Sequence, residues 1–161
     1  ALIISGQSTR RFVFEAFLPT DKKERRAVLE SFQKETRTII MYEAPHRLKK
    51  TLAELHDYIG NRKLSICKEL TKRYENNFRT TLKEAMEYYE ENDPKGEFVL
   101  VIEGRSEVEL QEEEIQEWDS ITLEEHMNIY LDKGMTKKEA MKAVALDRGI
   151  SKRDVYQQLL N

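Results

Sequence analysis

The residues Tyr42-Glu43-Ala44-Pro45-His46-Arg47 bring a phenol, a carboxylate, an imidazole and a guanidinium to one short junction. Thr38 to Tyr42 is a β-branched and apolar run of buried-strand length. Pro45 ends it: the pyrrolidine ring holds Ala44 extended, lacks an N–H and suits the first position of a helix. A strand therefore meets a helix N-terminus, and free backbone N–H groups and a positive dipole end point outward. In α/β sheets the mouth above such a junction is where ligands sit. The chemistry this spacing supports is binding through main-chain groups. Hydrolytic and metal constellations are excluded, because His46, His56 and His126 are far apart and lack a carboxylate or cysteine partner at metal-ligand spacing. The six glycines are scattered singly, so neither a Walker-type loop nor a dinucleotide fingerprint is present.

The elements that must position this junction follow from periodicity. Phe12 to Leu18 is aromatic-rich, partly alternating and ended by Pro19, hence a strand. Thr20 or Asp21 caps a helix through Phe32, with Val28, Leu29 and Phe32 on one face and the Lys22, Lys23, Arg25 and Arg26 cluster facing out. After the junction, Leu48, Leu52, Leu55 and Ile59 recur at helical spacing and Gly60 is the stop signal. Lys63 to Leu70 alternates as a third strand, Thr71 to Asn77 reads as a charged loop, and Phe78 to Thr81 as a short edge strand. Leu82 to Glu91 reads as a helix with Tyr88 and Tyr89 straddling the core boundary. Glu97 to Ile102 is the most hydrophobic strand and is expected to be central. Strands interleaved with helices predict an α/β layer with one covered sheet up to Gly104.

Composition changes after Gly104, which predicts a domain boundary: an α/β domain over 1–104 and a helical module over 105–161. Glu107 to Trp118 is acidic, part linker and part helix. Thr122-Leu-Glu-Glu125 and Thr136-Lys-Lys-Glu139 are capping boxes, and Ser151-Lys-Arg-Asp154 opens a third helix in nearly the same way. Leu123, Met127, Tyr130 and Leu131 are expected to face Ala140, Met141, Val144 and Ala145, with Val155, Tyr156 and Leu159 closing the bundle. The last two helices have helix-turn-helix spacing, more often a packing module than a DNA reader.

With 35% charged and 39% apolar residues and no apolar run of membrane-spanning length, the chain reads as a soluble globular protein. The start, Ala1-Leu-Ile-Ile-Ser-Gly6, has no signal-peptide pattern. The single cysteine, Cys67, excludes a disulfide framework; it reads as a small buried hydrophobe in a reducing cytoplasm. The net charge of −3 does not advertise a nucleic-acid binder. A local excess exists around Arg10, Arg11 and the Lys22 cluster, although such runs are usually solvated faces.

The junction hexapeptide resembles the Y-E-(S/A)-P-H-R signature of the ribosomal RNA small subunit methyltransferase I family, within the tetrapyrrole methylase-like, class III methyltransferases. Further blocks agree in order and spacing: Ser5-Gly6, Arg11-Phe-Val-Phe-Glu-Ala-Phe-Leu-Pro19, Lys23-Glu-Arg-Arg26, Lys68-Glu-Leu-Thr-Lys72 and Gly96-Glu-Phe-Val-Leu-Val-Ile-Glu-Gly104. The resemblance implies an α/β fold, the C-terminal mixed-sheet domain of a tetrapyrrole methylase-like fold, followed by a small helical, helix-turn-helix-like module. It implies S-adenosylmethionine as cofactor, held between two domains, so that this chain supplies half the pocket and an absent N-terminal domain the other half. Leu2, Tyr42, Glu43, Ala44, Ile102, Glu103 and Gly104 are the implied cofactor wall. His46 and Arg47 either shape the helix start or meet substrate phosphate. Glu69, Thr71 and Arg79 match the family's E-L-T and R-G-T blocks and are assigned to the pocket, with a buried ion pair as the alternative. Thr80 stands where the family usually has glycine, a departure from the pattern.

The implied reaction is displacement at the sulfonium methyl by the ribose 2′-hydroxyl of a cytidine in small-subunit ribosomal RNA. It requires alignment and a base, and no residue is singled out as that base; no metal is needed. Implied partners are the small-subunit RNA, the absent domain and a second copy in a homodimer, with no membrane and a cytoplasmic location. Lys137, Lys138, Lys152 and Arg153 are candidates for RNA phosphate contacts. Within the same superfamily a precorrin or uroporphyrin methylase is the alternative. From another class, the alternative is a non-enzymatic helix-turn-helix regulator with a ligand-sensing half.

Overall fold

Five strands, β1 (Phe12–Phe17), β2 (Thr38–Glu43), β3 (Lys63–Lys68), β4 (Asn76–Thr81) and β5 (Phe98–Ile102), form one mixed sheet in the order β1-β2-β5-β3-β4. The structure is a computed structural model that describes residues 1–159, the side chains of Glu114, Glu117 and Asp119 apart. The chain divides into two compact units, Ala1–Arg105 and Ser106–Asn161. Strand β1 runs parallel to β2, and the other pairings are antiparallel. The most hydrophobic strand, β5, therefore lies at the centre, between β2 and β3.

Alternation sorts each strand between a covered and an open face. Ile39, Met41, Leu64, Ile66, Phe98, Leu100 and Ile102 pack beneath α2 (Lys22–Ser31), α3 (Pro45–Ile59) and α4 (Leu82–Glu91), around Leu29, Leu48, Leu52, Leu55, Leu82 and Ala85. On the open face, cross-strand register aligns Phe17, Tyr42, Val99, Cys67 and Asn77 in one row and Phe14, Ile40, Val101, Ser65 and Arg79 in the next. A short helix, α1 (Leu2–Ser5), is tied to the β4 end of this face: Asn77 Nδ2 and Arg79 Nη2 donate to the Ile4 carbonyl at 2.6 and 2.8 Å. The β1 end is open and presents Phe12, Phe14, Phe17 and Tyr42. Cys67 is buried, and burial pushes its thiol up.

Phe17 shares a face with Phe12 and Phe14 because a bulge at Ala16 inserts one residue opposite β2. Ala16 takes φ 58 to make it, a conformation that opposes its Cβ to the following carbonyl. Ala16→Gly is expected to raise the stability of the α/β unit by about 0.5–1 kcal/mol in urea denaturation, net of glycine's greater freedom when unfolded. No gain would mean that the bulge is unstrained.

Three expectations differ in detail. Strand β4 begins at Asn76, two residues early, because Asn77 spends its amide on α1 instead of on a loop. In the helical unit, α5 (Glu107–Asp119) is helical throughout. The core of α6 (Leu123–Asp132), α7 (Lys137–Asp147) and α8 (Lys152–Gln158) contains Met127, Ala140, Met141, Val144, Ala145 and Val155. Leu131 and Tyr156 point outward, and Ile150 in the turn takes part instead.

The helical unit also buries a polar cluster. His126 is fully buried and stacked on Trp118, with centroids 3.9 Å apart at 9°. Its Nδ1 accepts from Arg148 Nε at 3.2 Å, so Nε2–H faces Asp147 Oδ2 at 3.1 Å, which also accepts the Tyr130 hydroxyl. Burial holds the imidazole below its ordinary 6.5, against the raising effect of Asp147. The unfolded chain then takes up the proton more readily than the fold, so stability is full above pH 6.5 and declines as pH falls through it. Thermal unfolding followed by Trp118, the sole tryptophan, checks this; His126→Phe is expected to flatten the dependence, and an unchanged slope would contradict it.

Candidate functional site

The junction forms at the edge of the sheet where β2 and β3 end and β5 begins: Glu43 pairs with Phe98, and Phe98 with Lys68. Ala44 is extended at φ −86 and ψ 148 and caps α3 with its backbone alone, and Pro45 occupies the first turn. Tyr42 and Glu43 alternate to opposite faces. Tyr42 is 41% exposed and meets Phe14 and Phe17 edge-on or tilted, with ring centroids at 5.1 and 5.6 Å. Glu43 is 2% exposed and turns under the helix.

The buried carboxylate is fully engaged. Glu43 Oε1 accepts the Ala44 N–H at 2.8 Å and faces Arg47 Nε at 3.3 Å, and Oε2 accepts the Thr51 hydroxyl at 2.6 Å. Its charge also sits at the positive end of the α3 dipole. Arg25 Nη2 donates to the same Thr51 oxygen at 2.8 Å, and Arg25 Nε donates to Glu54 Oε2 at 2.8 Å. Arg47 Nη2 meanwhile holds the Leu18 carbonyl at 2.8 Å. Two sequence blocks that looked separate, Lys23 to Arg26 and Tyr42 to Arg47, thus meet in one buried network. Arg25 is 8% exposed, against the expectation that its whole cluster faces solvent. The network fixes the strand-to-helix corner so that Tyr42 projects outward and its neighbour does not.

The remaining candidates divide by edge. Glu69 and Thr71 follow β3 to the same edge as Tyr42, in left-handed turns at φ 52 and 64. Glu69 Oε1 accepts the Glu97 N–H at 2.7 Å, the main reason its carboxyl lies below the usual range, and Lys72 assists at 3.5 Å. Gly96 beside it takes φ 92, a conformation that L side chains rarely adopt, and an added Cβ would stand 2.5 Å from Glu69 Oε1 and displace that carboxylate. His46 is exposed in the first turn of α3, while Arg47 shapes that helix start. Arg79 lies in the middle of the edge strand β4, three strands from the β2 of Tyr42, and pins α1, the short helix that also holds Leu2. Thr80 spends its hydroxyl on Glu84 at 2.9 Å.

Ile102, Glu103 and Gly104 do not join the Tyr42 corner. Because β5 is antiparallel to β2, its end pairs with the start of β2, Ile102 opposite Ile39, about 13 Å along the sheet from Glu43. Ile102 is core, Glu103 pairs with Lys63 at 3.1 Å, and Gly104 lies against the backbone of Thr36 and Arg37. Among the described residues, no group of three or more His, Cys, Asp or Glu is placed to hold a metal, and no helix is long and apolar enough to cross a membrane.

The Bacillus subtilis (strain 168) ribosomal RNA small subunit methyltransferase I is 46% identical over 156 residues, 97% of this chain and 53% of the relative. The protein of the same name from Halalkalibacterium halodurans is 47% identical over 156 residues, with the same coverage of 97% and 53%. That from Synechocystis sp. is 42% identical over 158 residues, 98% of this chain and 55% of the relative. The chain spans about half the length of these curated relatives. A family model described as tetrapyrrole (corrin/porphyrin) methylases matches residues 2–86, which include the junction and its whole supporting network. The chain belongs to the tetrapyrrole methylase family.

Proposed function

We propose that this chain supplies one wall of a cleft for S-adenosylmethionine, and that the assembled enzyme methylates the ribose 2′-hydroxyl of a cytidine in small-subunit ribosomal RNA. The observation that carries the reading is the Tyr42 corner: an exposed aromatic ring beside a proline-started helix N-terminus, held by a carboxylate that is itself withdrawn from the surface. An adenine ring needs apolar faces, which Tyr42 and its neighbours Phe14 and Phe17 present, and a few main-chain hydrogen bonds at a strand end. The donor supplies a methyl group activated by positive sulfur, so the protein's part is alignment and exclusion of water. Coverage of about half of each relative supports a second domain as the opposite wall, with homodimer formation and a cytoplasmic location expected of the whole protein. The family description names corrin and porphyrin methylases, but relatives at 42–47% identity carry the ribosomal name, which favours RNA over a tetrapyrrole.

The test combines this chain with the remaining half of the Bacillus subtilis relative and follows labelled methyl groups into isolated small subunits. Transfer to ribose is expected from the combination and little from the chain alone, with Tyr42→Ala lowering it about tenfold or more, the loss of one stacking contact. Robust turnover by the chain alone, or transfer to a base or a tetrapyrrole instead of ribose, would overturn the reading.

A further inference from the structure

A second concavity opens at the same sheet edge as the Tyr42 corner, on the helix-covered side. It encloses about 530 Å³ between the ends of β3 and β4, the start of β5 and the last turn of α4, within the range of small-ligand sites. Ile66, Tyr89 and Phe98 form a buried apolar floor. Phe78 and Tyr88 make a wall of two rings 5.1 Å apart, and Tyr88 is half exposed. Such a wall offers a planar partner a face to stack on.

The rim is polar in a particular way. Lys68 and Lys95 line it, and neither is held in an ion pair among the described residues. Asp93 is engaged by Lys49 at 3.4 Å, which leaves Glu91 as the rim carboxylate without a pair. The Asn76 side chain adds both a donor and an acceptor. Burial pushes the Tyr89 hydroxyl up to about 12, so it stays neutral at the floor. Aromatic faces for stacking, an amide for a base edge and free ammonium groups for a phosphate are the three elements of single-strand nucleotide recognition.

We propose that this cleft between β3, β4, β5 and α4 binds one nucleotide of an unpaired RNA strand, its base against Tyr88 and Phe78 and its phosphate toward Lys68 and Lys95. Two strand spacings, about 10 Å, separate Lys68 from Glu43 across the sheet edge. A nucleotide seated here therefore anchors the strand beside the Tyr42 corner, where the reactive ribose is to be aligned. The proposal rests on the RNA reading of the substrate, but its test does not involve the methyl donor.

The experiment is a ¹H–¹⁵N NMR titration of the 161-residue chain with cytidine 5′-monophosphate, with inorganic phosphate and cytidine as separate arms. Shifts are expected to cluster on β3, β4, α4 and the turn before β5, and to be larger with the nucleotide than with either part. Tyr88→Ala is expected to weaken the nucleotide about tenfold, the loss of one base–aromatic stack. Lys95→Ala is expected to weaken it and to flatten its salt dependence. Both side chains are at the surface, and the spectrum of each variant reports its fold. Equal shifts with phosphate alone, shifts confined to Phe12, Phe14 and Tyr42, or undiminished affinity in Tyr88→Ala would each overturn the proposal. Nucleotide binding without ribose methylation in the assembled enzyme would keep this inference and discard the proposed reaction.

Discussion

Arg25→Ala is expected to destabilise the α/β unit by about 3 kcal/mol in urea denaturation, the lower end of what breaking a buried ion pair costs. The guanidinium is 8% exposed and bonds Thr51 Oγ1 and Glu54 Oε2, with the Pro19 carbonyl at 3.5 Å. Its removal leaves the fully buried Thr51 hydroxyl without that donor, and leaves Glu54 unneutralised beneath α2. Glu54 retains some solvent and a distant Lys50 at 3.7 Å, which keeps the cost from the upper end of the range. The neighbouring Arg26 pairs with Glu30 on the surface, and Arg26→Ala is expected to leave the transition where it is. Equal behaviour of the two variants would mean that the network beneath the Tyr42 corner does not hold it. Thr51 also joins Arg25 to Glu43, so Arg25→Ala is further expected to broaden the amide signals of Ala44 and His46 in the folded protein, which a loss of surface charge would not do.

What the sequence made legible follows the range of the interactions. Strand and helix spans depend on neighbours a few residues apart, and α3 and α4 lie over the residues that periodicity, Pro45 and Gly60 indicate. The centrality of β5 was readable from its unbroken apolar run. Its direction was not, because a strand's polarity is set by chain connections over the whole sheet, and that is why Ile102 to Gly104 were expected near Tyr42. Arg25 was misread through its charge, although it stands at i with Leu29 at i+4 and Phe32 at i+7, in line with the core face. The same alignment puts Thr51 among Leu48, Leu52 and Leu55, so a buried polar pair was encoded but outweighed by residue type. The His126 cluster carried no local signal, since its partners Asp147 and Arg148 lie at the C-terminal end and cap of another helix.

Gly104→Ala is expected to cost about 3 kcal/mol or more, and the kind of loss matters more than its size. A Cβ at this position would stand 2.1 Å from the Thr36 carbonyl oxygen and 2.6 Å from that of Arg37. Both obstacles are backbone, so no rotamer change relieves them; the segment entering β2 would have to move about 1 Å. That segment is fixed from two sides, by Arg105 N donating to Glu35 at 2.7 Å and Thr38 N donating to Arg11 at 3.3 Å. Strand β2 lies between β1 and β5, and a shift at its start passes along the register to Tyr42 at its end. A glycine that instead admitted a cofactor would behave otherwise: Gly104→Ala would fold with unchanged stability and lose only affinity for S-adenosylhomocysteine. Gly60→Ala supplies the scale, since its Cβ meets nothing within 4 Å and only the backbone is strained, at φ 71 and ψ −167, a region nearly confined to glycine, for a cost of about 1–3 kcal/mol. Denaturation of the two variants side by side, with a ligand titration on whichever remains folded, separates packing from binding at this position.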